Sequence, residues 1–109
     1  MNKEWHISFY NDNVEADTLS FPESILANFL HIAEMMEECG PALGYPYTKP
    51  FGDGLFEIRA RGKEGIGRSF FCAVNGKEVI ILHSFIKKSQ KTPKRDITLA
   101  RKRLKEVKS

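Results

Sequence analysis

Arg59, Arg68 and His83 are spaced so that three neighbouring strands would set them in one row, with Glu57 one step along the first strand. Paired guanidinium groups can grip a phosphate through charge-assisted, bidentate hydrogen bonds. A carboxylate or imidazole beside them can move a proton. Lysines follow the last strand at Lys87, Lys88 and Lys91. Guanidinium, ammonium, one carboxylate and one imidazole at one end of a sheet can bind phosphate and stabilise a pentacovalent transition state without a metal. The row opposes folding, because like charges directly across a sheet are destabilising. Selection for fold alone would not favour Arg59 opposite Arg68, and a bound polyanion would remove the conflict.

Two hairpins would have to position these groups. Asn75-Gly76 is the residue pair that tolerates positive φ at both centres of a type I′ turn. A two-residue turn there pairs Val74 with Lys77 and, counting outward, Arg68 with His83. One face then carries Arg68, Phe70, Cys72, Val79, Ile81 and His83, and the other carries Ser69, Phe71, Ala73, Ile80 and Leu82. Leu55 to Arg61 also alternates, with Phe56, Ile58 and Ala60 on one face and Glu57, Arg59 and Arg61 on the other. The loop Gly62-Lys63-Glu64-Gly65 pairs Arg61 with Ile66 and Arg59 with Arg68.

The rest of the chain reads as support for that sheet. Trp5 to Tyr10 alternates as an opening strand, and the polar, acidic run from Asn11 to Thr18 reads as a loop. Ser20-Phe21-Pro22-Glu23 resembles a capping box before a helix whose apolar stripe is Ile25, Phe29, Ile32 and Met36. Gly40-Pro41 stops it. The stretch from Pro41 to Pro50 is turn-rich and holds either a short helix or a segment crossing the sheet, with Tyr45 and Tyr47 covering a core edge. The last helix opens with Thr92 as N-cap, Pro93 in the first position and Asp96 in the first turn. Ile97, Ala100, Leu104 and Val107 give it one apolar face, while Lys94, Arg95, Arg101, Lys102, Arg103, Lys105 and Lys108 make the remainder basic.

At 109 residues the chain is read as a single domain, 1–109, able to bury a core without disulfides or metal. Its net charge of +3 is unevenly spread. Residues 1–40 hold one base against eight acids, 41–86 six against four, and 87–109 ten against two, giving −7, +2 and +8. That asymmetry points to a polyanionic partner for the basic part. Cys39 and Cys72 have neither metal nor redox spacing, and two unpatterned cysteines suit a reducing cytoplasm. His6, His31 and His83 show no ligand spacing, so no metal is expected and no cofactor either. Gly62, Gly65 and Gly67 fit neither a P-loop nor a dinucleotide fingerprint. No apolar run approaches the ~20 residues of a membrane span, and no targeting segment is expected.

KPFGDGLFEIRAR, the strand ending in Gly67-Arg68, and above all LHSFIKKSQKTPKRDITLARKRL resemble the phage-derived HigB-like branch of the RelE/ParE toxin superfamily, over Leu43 to Val107. The resemblance implies an α+β, RelE-like fold: a small antiparallel-hairpin-based sheet of about four strands, an N-terminal helical region and a C-terminal basic helix. It implies a toxin of a type II toxin–antitoxin system, a ribosome-dependent mRNA endonuclease (mRNA interferase) in which the 2′-OH attacks its own adjacent phosphate without a metal. Carried over by position, Glu57, Arg59 and Arg61 match the catalytic strand, Arg68 matches the arginine of the next strand, and Lys87, Lys88 and Lys91 match the basic segment after the last strand. Arg68 and Arg59 would hold the phosphate, either Glu57 or His83 would act as general base, and a lysine would serve the leaving 5′-oxygen. Arg61, Lys94, Arg95, Arg101, Lys102, Arg103 and Lys105 would bind RNA by charge. The plainer structural readings stand beside these: Glu57 as a counter-ion, His83 as a satisfied half-buried histidine, Arg61 as a solvated strand end. No tyrosine follows Tyr47, whereas some RelE relatives use a C-terminal one. The implied partners are the ribosome, mRNA and a HigA-like helix-turn-helix antitoxin in a heterotetramer, in the cytoplasm and away from membranes. Two alternatives remain: a ParE-like DNA gyrase inhibitor, and a non-catalytic RNA- or protein-binding domain of phage origin.

Overall fold

A computed structural model describes residues 3–87 and 93–109. In chain order the elements are β1 (His6–Phe9), α1 (Asp12–Leu19), α2 (Glu23–Cys39), β2 (Thr48–Gly52), β3 (Leu55–Gly62), β4 (Gly65–Val74), β5 (Glu78–Lys87) and α3 (Lys94–Lys108). The five strands form one sheet in the order β1-β5-β4-β3-β2. Only the β1–β5 pair is parallel, and the other three pairs are antiparallel.

Apolar side chains on the two faces of the sheet recruit different helices. Ile58, Ala60, Phe71, Val79 and Ile81 pack under Val14 of α1 and the Ile25, Phe29, Ile32 and Met36 stripe of α2. Leu55, Phe70, Cys72 and Leu82 pack under Ala100 and Leu104 of α3. The α2 stripe is therefore the one its periodicity predicts, and Gly40, with φ of 91°, ends the helix. Asn11–Thr18 departs from the loop expected of it. Asn11 caps a short helix by accepting a hydrogen bond at its side-chain oxygen from the Val14 N–H (2.8 Å). Only Val14 and Thr18 of that helix are buried, so its sequence carries almost no helical stripe. The capping box at Ser20 does not form: Pro22 is the N-cap of α2, and the Ser20 hydroxyl donates back to the Ala16 carbonyl. The segment before Pro50 ends in an edge strand, β2, which raises the sheet to five strands. Pro50 is tolerated there because an edge strand has one side free of ladder bonds.

The first hairpin has the register read from the sequence, with Arg59 opposite Arg68, Arg61 opposite Ile66 and Gly62 opposite Gly65. The second does not. Gly76 and Lys77 both take positive φ (85° and 59°), so the turn holds three residues and Val74 faces Glu78. That extra residue moves Val79 and Ile81 to the α1/α2 face. A bulge at Leu82, which has no partner on β4, then returns His83 to the arginine face opposite Phe70. Phe85, not His83, lies across from Arg68.

The α2 face admits β4 closely at Gly67, where an added Cβ would lie 2.8 Å from Ile25 Cγ2 and 3.0 Å from the Phe21 ring. Gly67→Ala is expected to lower stability by about 1–3 kcal/mol through overpacking, measured by urea denaturation. A loss below experimental error would mean that this contact is looser than described.

Candidate active site

β3 alternates so that Leu55 enters the α3 core while Glu57 and Arg59, further along the same face, run out from under the helix. Arg68, one strand into the sheet, stands opposite Arg59, and Phe70 stands opposite Glu57. Arg68 is 3% exposed and Glu57 0%, and the Arg68 Nη1 donates to Glu57 Oε1 at 2.7 Å. Arg59 Nε lies 3.9 Å from the same carboxylate oxygen. The Arg59–Arg68 repulsion foreseen in the sequence is thus met first by an internal carboxylate. Removing two charges from water is expensive unless they are paired and hydrogen-bonded. Here the satisfaction is incomplete: among the described residues, Glu57 Oε2, Arg59 Nε and Arg68 Nε are buried and have no hydrogen-bond partner. Buried polar atoms are rarely left so, and a hydroxyl together with an anion would fit these three.

Two lysines flank the pair. Lys49 on β2 stands opposite Glu57. Lys87, the last residue of β5, stands opposite Ile66, on the face that carries Arg68. Partial desolvation, followed by the charges of Arg68, Arg59 and Lys49, holds the Lys87 ammonium below its ordinary range against the opposing pull of Glu57. A proton on this nitrogen is therefore easier to give up than on a solvated lysine. Lys49, Arg59, Arg68 and Lys87 set four positive charges against the single negative charge of Glu57, a net of +3. Such a cluster has the charge and the donors to hold an anion about the size of a phosphate.

His83 is not the third member of the row. Its Nε2 lies 2.6 Å from Asp96 Oδ1, and its ring stacks on Phe85 (centroids 5.4 Å apart). Phe85 also stacks on Phe70, so His83 is held inside the α3 interface. Asp96 joins the expected first turn of α3 but is buried there as the partner of His83. Arg61 is exposed at the hairpin end, its backbone N–H donating to Asn28 Oδ1.

The basic helix divides into two sets. Arg101 donates to the carbonyls of Phe51 (2.7 Å) and Gly52 (3.3 Å). Arg103 donates to the Leu82 carbonyl (2.7 Å), at the bulge, and lies over the Tyr10 ring. Both dock the helix onto the sheet. Lys94, Arg95, Lys102 and Lys105 are exposed and free to meet another surface. Lys88, Lys91 and the expected cap Thr92 lie outside the described residues. Lys49 is the site residue that sequence reasoning passed over; the alternation of Lys49 and Phe51 around Pro50 was its one signal. Among the described residues, no group of three or more His, Cys, Asp or Glu is arranged to hold a metal, and no helix is long and apolar enough to cross a membrane.

The Glu57–Arg68 pair makes a clear stability prediction. Glu57→Ala is expected to cost about 3–5 kcal/mol by leaving a buried guanidinium unpaired. Glu57→Leu combined with Arg68→Met should recover most of it. Chemical denaturation decides, and a Glu57→Ala loss under about 1 kcal/mol would mean that the pair is solvated.

Comparison with known proteins follows the same architecture. The family model described as "Phage derived protein Gp49-like (DUF891)" matches residues 16–105. No curated protein matches the chain. A solved chain from the "Crystal structure of archaeal RelE-RelB complex from Pyrococcus horikoshii OT3" superposes with a TM-score of 0.56 at 18% identity, covering 78% of this chain and 97% of that one.

Proposed function

The chain belongs to the phage-derived Gp49-like protein family and has the RelE-type fold, and on that premise we propose that it is the toxin of a type II toxin–antitoxin system, an endoribonuclease acting on mRNA at the ribosome. One observation carries the reading: a buried Glu57–Arg68 pair lies between Arg59 and Lys87, with Glu57 Oε2, Arg68 Nε and the neighbouring Arg59 Nε buried without a hydrogen-bond partner, on the sheet face that also carries α3.

The proposed reaction needs no group beyond those of the chain and its RNA. Arg68 and Arg59 hold the non-bridging oxygens of the scissile phosphate through guanidinium nitrogens, and stabilise the charge that grows there. Glu57 Oε2, the oxygen without a hydrogen-bond partner, is buried in the free protein, and once RNA binding uncovers it this oxygen takes the proton of the ribose 2′-OH. The 2′-oxygen then bonds to phosphorus as the bond from phosphorus to the 5′-oxygen breaks. Lys87, followed in sequence by Lys88 and Lys91, gives the leaving 5′-oxygen its proton. The products are a 2′,3′-cyclic phosphate and a 5′-hydroxyl. The lowered proton affinity of Lys87 suits a general acid. Glu57 is preferred to His83 as the base because His83 is engaged by Asp96 and stands opposite Phe70 rather than Arg68.

The exposed Lys94, Arg95, Lys102 and Lys105, with Arg61, would hold ribosomal RNA by charge, making activity strongly salt-dependent. The fold likeness to a chain of a RelE–RelB complex supports a protein antitoxin as partner. A HigA-like helix-turn-helix protein in a heterotetramer is the form proposed.

Induction of the wild type in a bacterial host, with mRNA 5′ ends mapped after growth arrest, tests the assignment against Arg59→Ala and Lys87→Ala, which spare the buried pair. Codon-phased cuts that fall on the order of 10²-fold in each variant are expected. Arrest with uncut mRNA and a DNA-damage response would overturn the nuclease reading in favour of gyrase poisoning, and no arrest would leave a binding module.

A further inference from the structure

The proposed reaction uses Glu57, Arg59, Arg68 and Lys87 but assigns nothing to Lys49. Lys49 is exposed on the edge strand β2, opposite Glu57, and its Nζ lies 5.4 Å from the centre of the Phe51 ring. Lys49 and Phe51 are two residues apart on one strand face, so the ammonium is drawn along β2 towards Phe51 rather than across it towards Arg68. Phe51 is itself fixed from below by an edge-on contact with Phe70 (5.2 Å) and by Arg101, which donates to its carbonyl. The position of the cation is thus set by a packed aromatic ring, not by a second lysine.

Charge balance points the same way. A scissile phosphodiester brings one negative charge, and the pentacovalent species two. The cluster carries a net of +3 with Lys49 included. Even at the transition state one cation is left over, and Lys49 is the one furthest from Arg68. From β5 to β2 is three strand spacings, each about 4.8 Å, and the path from Lys87 through Arg68 and Arg59 to Lys49 is a diagonal, because Lys87 is level with Arg61 and Lys49 with Glu57. A single phosphate cannot fill that line, whereas two consecutive phosphates of an RNA strand can.

Resting on the nuclease reading, we propose that Lys49 binds the phosphate next to the scissile one, so that the site recognises RNA as a two-phosphate segment running across the strands from Lys87 to Lys49. Lys49 is a binding residue here and takes no part in proton transfer. It raises affinity for a substrate that continues past the cut, and a dinucleotide with one phosphate leaves it unused.

The test titrates the protein with two non-cleavable probes, a 2′-O-methyl dinucleotide with one phosphate and a 2′-O-methyl trinucleotide with two, followed by NMR at several salt concentrations. In the wild type the trinucleotide should bind more tightly, and its slope of log affinity against log salt should be steeper by about 0.7, the value for one phosphate of a single strand. Lys49→Ala should abolish both differences and weaken the trinucleotide more than the dinucleotide, which loses only the longer-range charge of Lys49. Lys87→Ala should weaken both probes alike. If Lys49→Ala keeps the gain from the second phosphate, the Lys49 assignment fails while the nuclease site stands. If neither probe shifts the resonances of Arg59, Arg68 or Lys87, the phosphate site and this inference fall together.

Discussion

A carboxylate buried between two arginines is the constraint on which the rest of the structure depends. Glu57 has no exposed surface and a hydrogen bond to an arginine that is almost as buried. Such a pair is no gain in stability over well-packed apolar residues of the same volume, and it becomes a heavy loss if either partner goes. The fold tolerates it because it lies at the edge of the apolar layer under α3. Leu55, Phe70 and Cys72 fill that layer, and Glu57, Arg59 and Arg68 continue the same strand faces beyond it. One sheet face thus serves as core in one half and as a charged floor in the other. The pair stays oriented without solvent, and Glu57 Oε2 and Arg68 Nε are buried there without a hydrogen-bond partner.

The position of α3 decides where that division falls, and the helix is held by some of its own basic residues. Arg103 supplies a donor to the carbonyl of Leu82, the residue that the β5 bulge leaves without a partner, and Arg101 reaches two carbonyls near the β2–β3 turn. His83 and Asp96 join the first turn of the helix to the residue after the bulge. A bulge that would otherwise leave a polar backbone group exposed to an apolar layer has become the docking point of the basic helix. On the opposite face, α1 and α2 belong to the segment with a net charge of −7, so the sheet separates the acidic part of the molecule from the basic one.

Local chemistry made the first hairpin legible. Glycines at both ends of a short loop and strict alternation from Leu55 to Arg61 fix one register, and with it the Arg59–Arg68 opposition. The second hairpin could not be read in the same way. Both its faces are apolar, so a slip of one residue leaves the hydrophobic pattern intact. Asn75-Gly76 suggested a two-residue turn, but Lys77 also enters the left-handed region, and nothing in the strand sequence announces the bulge at Leu82. The place of His83 in the site was lost by those two steps. α1 escaped notice because an eight-residue helix with two buried side chains has no stripe to read. β2 was obscured by its proline. The α2 and α3 stripes, each spanning several turns, were plain, because periodicity accumulates with length. The ion pair of Asp96 with His83 joins residues 13 positions apart through tertiary packing, and no local signal marks it.

In the proposed reaction the Glu57–Arg68 cluster directs a ribose hydroxyl at its neighbouring phosphate. Mass analysis of the RNA termini made by the purified protein in a reconstituted translation reaction tests this most directly, with Glu57→Gln alongside. The wild type should give 2′,3′-cyclic phosphate and 5′-hydroxyl termini, and Glu57→Gln should lose them. Termini bearing a 3′-hydroxyl and a 5′-phosphate, or mRNA left intact, would contradict the proposed reaction.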